Sequence, residues 1–158
     1  MPIVQADRLT RVAAALLRAA GASDQEADAV AIGCVNANLA GHDSHGAIAI
    51  PTYIDRIKAG HIVPGAPWTI MQETPTSTVI DGNWGFGYVV TDRAMRYTID
   101  KAKNQQVAAA TVYRQSHIGR LASYPLMAAR EGMIAMITAD SGRSAKAVSY
   151  THLTLPTN

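Results

Sequence analysis

Three consecutive stretches decide the fold: TSTVIDG (76–82), GYVVTDRAMRYTIDKAKNQ (87–105) and VAAATVY (107–113). The first and third are short and rich in β-branched or small apolar residues, which is typical of buried strands. The middle stretch repeats apolar residues such as Val90 and Ala94 at helical spacing. Strand, helix and strand in this order predict a crossover unit in which the two strands run parallel.

The pattern extends on both sides of this unit. WTIMQE (68–73) is predicted as a strand that a short turn joins to the next strand. RLASYPLMAAREG (120–132) is predicted as a helix that Pro125 interrupts. MIAMITAD (133–140) is predicted as a further buried strand. Together these elements predict a mixed sheet with crossover helices.

Helices precede this body. The segments 6–21 and 22–41 have amphipathic helical spacing, and Ser23 with Glu26 forms a capping-box pattern at the start of the second. A third helix follows from residue 50, and Pro51 either starts it or kinks it. The predicted buried positions of the first two helices are Leu9, Val12, Ala13, Leu16, Ala20, Ala27, Val30, Ala31 and Cys34.

The fold class is therefore α/β with an α+β leaning. The predicted organisation is an N-terminal helical segment over residues 1–62, followed by a partial mixed α/β body over residues 63–148. The length of 158 residues is about that of one domain.

Composition limits the classes of function. The net charge is +2, from 14 basic and 12 acidic residues without a basic stripe, so nucleic-acid binding has no electrostatic support. The apolar runs are too short to span a bilayer, and the N-terminus lacks the pattern of a signal peptide. A single cysteine excludes an internal disulfide framework. We expect a cytoplasmic protein without a membrane partner.

GHDSHGA (41–47) is the densest group of chemistry-bearing residues. From the residues alone, the first interpretation is structural: Asp43 or Ser44 caps the following helix and His45 fills its first turn. The second interpretation is proton transfer. An imidazole that titrates near neutral pH can exchange a proton with a reacting carbonyl oxygen, and Asp43 or Ser44 would fix the tautomer of His45.

Two further functions stay open at this point. His42, Asp43 and His45 could begin the metal site of a metal-dependent hydrolase, which would require a third or fourth ligand from His61 or His117. The other alternative is a non-catalytic interaction domain.

Polar residues follow two predicted strands. His117 and Arg120 come directly after the strand at 107–113, and Ser141 and Arg143 come after the strand at 133–140. Ligands of open α/β sheets bind beyond the carboxyl ends of strands, so these residues predict a shared ligand pocket. Arg120 is a candidate partner for a carboxylate or phosphate.

Four motifs occur together in one order: DSHG (43–46), IPTYIDRIKAGHI (50–62), VIDGNWGFGYVVTDRAM (79–95) and SHIGRLASYPLMAAREGMI (116–134). In these the chain resembles the malate/L-lactate dehydrogenase family, and within it the hydroxycarboxylate dehydrogenase branch. The resemblance covers residues 3–148. It implies a non-Rossmann NAD-binding fold, which this chain contains only in part.

The resemblance also implies an activity: hydride transfer between NAD or NADP and a 2-oxo or 2-hydroxy acid similar to malate or lactate. His45 would give its proton to the carbonyl oxygen, with Asp43 or Ser44 orienting it, and His117 is the acid–base group in some members. A homodimer and a small-molecule substrate are implied. The implied cofactor contacts are Ile118, Gly119, Arg120, Leu121 and Ser141.

The chain departs from the family pattern in two places. Many members carry a substrate-binding arginine where this sequence has Ala49, so the substrate carboxylate is assigned here to Arg120 or Arg143. Residues 149–158, SYTHLTLPTN, replace the usual continuation and look like a translated adapter, so His152 is excluded. Because family chains are much longer, we expect an N-terminal fragment that is inactive alone.

Overall fold

The structure is a computed structural model that describes residues 3–140. Its α-helices are α1 (Ala6–Ala19), α2 (Asp24–Leu39), α3 (Ile50–Lys58), α4 (Gly87–Gln105) and α5 (Pro125–Arg130). Its strands are β1 (Thr69–Glu73), β2 (Ser77–Gly85) and β3 (Ala109–Gln115). Short 3-10 turns lie at Asp43–His45, Ala47–Ala49 and Leu121–Ser123.

The three strands form one mixed sheet in the order β1-β2-β3. β1 pairs antiparallel with β2, with Ile70 opposite Ile80, and β2 pairs parallel with β3, with Ile80 opposite Val112. α4 joins β2 to β3 and packs against both strands. The predicted crossover unit and the mixed α/β class are therefore confirmed.

The strand predicted at 133–140 is wrong for this structure. The segment has no strand hydrogen bonding to any described residue, and the side chains of Ile134 and Met136 are 102% and 90% exposed. The side chains of this segment do alternate between half-buried and exposed, with Met133, Ala135 and Ile137 half-buried. An alternating pattern becomes part of a sheet only when it pairs with a neighbouring strand, and this segment pairs with neither edge strand of the β1-β2-β3 sheet.

Proline sets two helix starts. Pro51 lies in the first turn of α3, where a missing amide hydrogen costs nothing, so it starts the helix and does not kink it. Pro125 acts in the same way at α5. The single helix predicted over 120–132 is consequently divided, because a 3-10 turn at Leu121–Ser123 precedes Pro125.

The start of α2 follows the predicted capping box. The Glu26 amide donates to Ser23 Oγ at 3.3 Å, and the Ser23 amide donates to Glu26 Oε2 at 3.0 Å. The other Glu26 oxygen accepts from the Gly65 amide at 2.7 Å, which ties the helix start to the loop before β1. The four core positions predicted in α2, which include Cys34, are all fully buried.

The buried face predicted for α1 is partly wrong. Ala13 is buried as predicted, but its buried companions are Ala14 and Leu17. Val12 and Leu16 remain 50% and 47% exposed. Apolar residues occur on most faces of α1, so helical spacing alone does not determine which face packs against α2.

One hydrophobic core joins the N-terminal helices to the sheet. Leu17, Cys34, Ile62 and Phe86 belong to a single cluster of buried residues. Ile62 lies at the predicted domain boundary, and Phe86 directly precedes α4. The division at residues 62 and 63 stays a prediction. No helix within residues 3–140 combines the length and apolar content needed to cross a membrane.

An ion pair joins the middle of β2 to the carboxyl end of β3. The buried carboxylate of Asp81 accepts from the Arg114 guanidinium, and it also accepts from the Asn83 amide at 2.9 Å. The hydrogen bond from Arg114 is the main reason that the pKa of Asp81 is lowered. Asn83, Trp84 and Arg114 have positive φ angles, so the pairing between β2 and β3 shifts here. The chain then turns into α4 and into the loop after β3.

Gly87→Ala tests the contact between α4 and that loop. A Cβ at Gly87 would overlap the Ser116 carbonyl oxygen and lie 2.5 Å from the His117 carbonyl oxygen, both rigid backbone atoms. We expect unfolding free energy to fall by about 1–3 kcal/mol, as in overpacked cores. Urea unfolding measures it. Gln105→Ala, at the exposed end of α4, should change it by less than about 0.5 kcal/mol. Equal losses in both variants would contradict the prediction.

Candidate active site

The segment 41–47 is held against the end of α2 by Asn38. Asn38 Nδ2 donates to Asp43 Oδ1 at 2.6 Å, and Asn38 Oδ1 accepts from the Ala47 amide at 2.8 Å. One side chain therefore ties together both ends of the turn that carries His45. The sequence analysis missed Asn38, because an asparagine near a helix end has no spacing signal that sets it apart.

Ser44, and not Asp43, contacts the ring of His45. Ser44 Oγ lies 2.9 Å from His45 Nδ1, whereas the carboxylate of Asp43 is engaged by Asn38. A hydroxyl at Nδ1 leaves Nε2 as the imidazole nitrogen with free hydrogen-bonding capacity.

The loop after β3 is fixed at both ends. Ser116 Oγ accepts from the Gly87 amide at 2.9 Å and so satisfies a free amide at the start of α4. The buried Tyr124 donates its hydroxyl to the Ile118 carbonyl oxygen at 2.5 Å. His117 lies between these two anchors, so its backbone position is set by α4 and by the turn before α5.

The two loops bring His45 and His117 together. Their ring centroids are 5.4 Å apart with an interplanar angle of 32°. Tyr53 Oη lies 2.7 Å from Nδ1 of His117. Each imidazole thus has a hydroxyl at Nδ1, and within residues 3–140 neither Nε2 atom has a hydrogen-bond partner, so both can bind a ligand.

Tyr53 is a second residue that the sequence analysis missed. It lies on α3 beside the apolar residues Ile50, Ile54 and Ile57, and its side chain is almost fully buried. This spacing is that of an ordinary core residue. Only the contact with His117, which comes from a distant part of the chain, distinguishes Tyr53 from its neighbours.

Burial controls the electrostatics of this cluster. The pKa of His117 is lowered first by burial, and then by the charges of His45 and Arg56. Burial raises the pKa of Tyr53, so its hydroxyl stays protonated across the ordinary pH range. A neutral imidazole beside a protonated phenol is the state that this environment favours for His117.

Arg120 lies three residues after His117 and has a guanidinium nitrogen, Nε, that is buried without a hydrogen-bond acceptor in the described residues. The neighbouring Gly119 has φ +73°, and a side chain there would overlap the Tyr88 ring. Ile118 and Leu121 flank this tight approach. Ser141 and Arg143 lie outside the described residues, so the predicted pocket between two strand ends is described on one side only.

The geometry gives no support to the metal-dependent hydrolase. His42 directs Nδ1 to the Ala40 carbonyl oxygen at 3.1 Å, and its ring centroid is 6.5 Å from that of His45. Asp43 is committed to Asn38. Over the part of the chain that the structure describes, no three His, Cys, Asp or Glu residues are grouped so that they could hold a metal ion.

The sequence profile of malate/L-lactate dehydrogenase matches residues 4–158. The chain belongs to this family. The matched range includes residues 149–158, whose adapter origin stays a prediction and whose structure lies outside the described residues. The resemblance seen in the four sequence motifs is confirmed.

Individual members of the malate/L-lactate dehydrogenase family show the same relationship. The chain is 35% identical over 122 residues to hydroxycarboxylate dehydrogenase B of Escherichia coli O157:H7, covering 77% of this chain and 34% of that protein. It is 34% identical over 135 residues to a malate dehydrogenase of Pyrococcus abyssi, covering 85% and 37%. The chain therefore spans about a third of the length of these relatives.

The fold agrees with a solved family structure. The sulfolactate dehydrogenase from Methanocaldococcus jannaschii superposes with a TM-score of 0.80 at 32% identity. The superposition covers 82% of this chain and 38% of that chain. The helices and mixed sheet described above thus correspond to part of a dehydrogenase of this family.

Asn38→Ala tests whether Asn38 holds the 41–47 segment. The substitution leaves the Ala47 amide without its acceptor and Asp43 without its donor, so we expect about 1–3 kcal/mol of lost stability. Hydrogen exchange at the Ala47 amide should become faster. Asn36→Ala is the matched control, because Asn36 is exposed on the same helix. Unchanged exchange at Ala47 would contradict the assigned role.

The lowered pKa of His117 can be measured by NMR titration of its ring. We expect a value below the ordinary 6.5, and His45→Gln should raise it by removing a neighbouring charge. Because the folded pKa is depressed, the stability linked to His117 is present above pH 6.5 and is lost as pH falls through the folded pKa. His61→Gln, at an exposed site, is the control. An unshifted His117 would contradict the described burial.

Proposed function

We propose that the whole protein is an NAD- or NADP-dependent oxidoreductase that interconverts a 2-oxo acid and a 2-hydroxy acid. The observation that carries the proposal is the pairing of His45 with His117, whose ring centroids are 5.4 Å apart. Membership of the malate/L-lactate dehydrogenase family and the names of the relatives, which include malate and sulfolactate dehydrogenases, support it.

The two imidazoles provide the proton chemistry. Reduction of a 2-oxo acid adds a hydride to the carbonyl carbon and a proton to its oxygen. Ser44 and Tyr53 occupy the Nδ1 atoms of His45 and His117, so each ring presents Nε2 to the substrate. The buried Tyr53 phenol stays protonated, and its Oη can accept from the Nδ1–H of a doubly protonated His117, which leaves the proton on Nε2 available to the substrate. His117 in its imidazolium form can give the Nε2 proton to the carbonyl oxygen and return to a neutral imidazole, and the lowered pKa of His117 favours this release.

The residues after His117 fit a nicotinamide cofactor. Arg120 has a buried Nε without an acceptor in the described chain. A charged donor of this kind can bind an anionic group of a cofactor. Gly119 permits close approach of the backbone. We assign cofactor contacts to Ile118, Gly119, Arg120 and Leu121, and extend the assignment to Ser141. The chemistry that a bound nicotinamide supplies is hydride transfer.

The proposal extends to substrate class and assembly. The substrate is a small carboxylic acid similar to malate or lactate, with Arg120 and Arg143 as candidate carboxylate partners. We also propose a homodimer located in the cytoplasm. These assignments rest on the family relationship and on the implied site.

Turnover of a 2-oxo acid with reduced nicotinamide cofactor by the whole protein tests the function. His117→Ala should lower kcat by roughly 10²–10⁴-fold, the range for loss of a general acid, and His45→Ala should lower it substantially. His61→Ala is the control, because His61 is exposed and has no contact with the paired rings. Loss of absorbance of the reduced cofactor measures the rate. Full activity in both variants at 45 and 117 would refute the proposal.

A further inference from the structure

Arg56 approaches the candidate site from α3. It is half-buried and lies three residues after Tyr53, so the two side chains share one side of the helix. Its backbone is well fixed, because its carbonyl oxygen accepts from the amides of His61 at 2.8 Å and Ile62 at 3.2 Å. Ile62 belongs to the hydrophobic core. The starting point of the Arg56 side chain is therefore set by the core.

Helix geometry aligns Arg56 with Ala49. Seven residues correspond to about two turns, so Arg56 lies nearly below Ala49 on the same side of α3. Ala49 has helical backbone angles and packs against the core with only a methyl group. Helical side chains slant toward the N-terminus, which directs Arg56 toward Tyr53 and toward the space beside Ala49.

The charge of Arg56 acts on the site. Burial is the largest influence on the pKa of His117 and of Tyr53, but the positive charge of Arg56 lowers both values. Tyr53 and His117 are in hydrogen-bond contact, so both groups sense the same nearby guanidinium. None of the ion pairs formed within residues 3–140 includes Arg56.

We propose that Arg56 recognises the carboxylate of the substrate; this rests on the proposed function. A planar guanidinium binds a carboxylate through two parallel hydrogen bonds, which would orient the 2-oxo group toward His45 and His117. The carboxylate would also offset the charge of Arg56 at His117. Arg120 is then left for an anionic group of the cofactor.

Binding of pyruvate and of its uncharged amide, pyruvamide, tests this role in the purified whole protein. Arg56→Gln should weaken pyruvate binding and raise the KM for pyruvate by roughly 10- to 100-fold, the range for loss of a charged hydrogen bond. Pyruvamide binding should be unchanged. Lys58→Gln removes an equal charge from an exposed position of α3 and should have no effect. Thermal melting compares the folding of the variants.

A rescue variant makes the test independent of folding. Ala49→Arg combined with Arg56→Gln restores a guanidinium on the same side of α3, and we expect it to recover most of the pyruvate affinity. Equal pyruvate affinity in wild type and Arg56→Gln would overturn the inference, as would an equal loss in Lys58→Gln or a wild-type protein that binds no pyruvate.

Failure of the proposed function has a different signature. Arg56-dependent pyruvate binding without turnover of any 2-oxo acid would leave the carboxylate site standing and refute the dehydrogenase. Turnover with the same KM for pyruvate in the wild type and in Arg56→Gln would refute the carboxylate site alone.

Discussion

The packing of Tyr88 is the contact on which the candidate site depends. Its hydroxyl accepts from Cys34 Sγ at 3.5 Å and donates to the His45 carbonyl oxygen at 3.2 Å, so it links α2 to the first histidine segment. Its ring packs edge-on against Tyr53 and leaves room only for a glycine at 119. One side chain at the start of α4 thus contacts α2, the 41–47 segment, α3 and the loop after β3.

The site follows from this packing through two hydroxyl–imidazole pairs. Ser44 is a sequence neighbour of His45, whereas Tyr53 reaches His117 from another element. The Ser44–His45 pair is local in sequence and needs no other element. The Tyr53–His117 pair forms only if α3 and the loop after β3 are correctly placed. Burial keeps the Tyr53 phenol protonated, so the fold holds a neutral hydroxyl against Nδ1 of His117.

The sequence predicted what short-range periodicity encodes. The β2–α4–β3 crossover and the buried face of α2 were predicted correctly, because strand and helix spacing differ locally. The segment 133–140 was assigned wrongly, since a strand is defined by a neighbour. Histidines at 45 and 117 are conspicuous by residue type, and the structure brings them together. Tyr53 and Asn38 resemble routine helix residues, and long-range contacts alone reveal them.

Cys34 gives the molecule a built-in reporter. It is the single thiol of the chain, it is fully buried beneath Tyr88, and burial raises its pKa, so little reactive thiolate is available in the closed state. A thiol-specific reagent reaches it only when the core packed around Cys34 opens. The rate of Cys34 labelling in native buffer therefore measures how often the core around Cys34 opens locally, without an engineered cysteine.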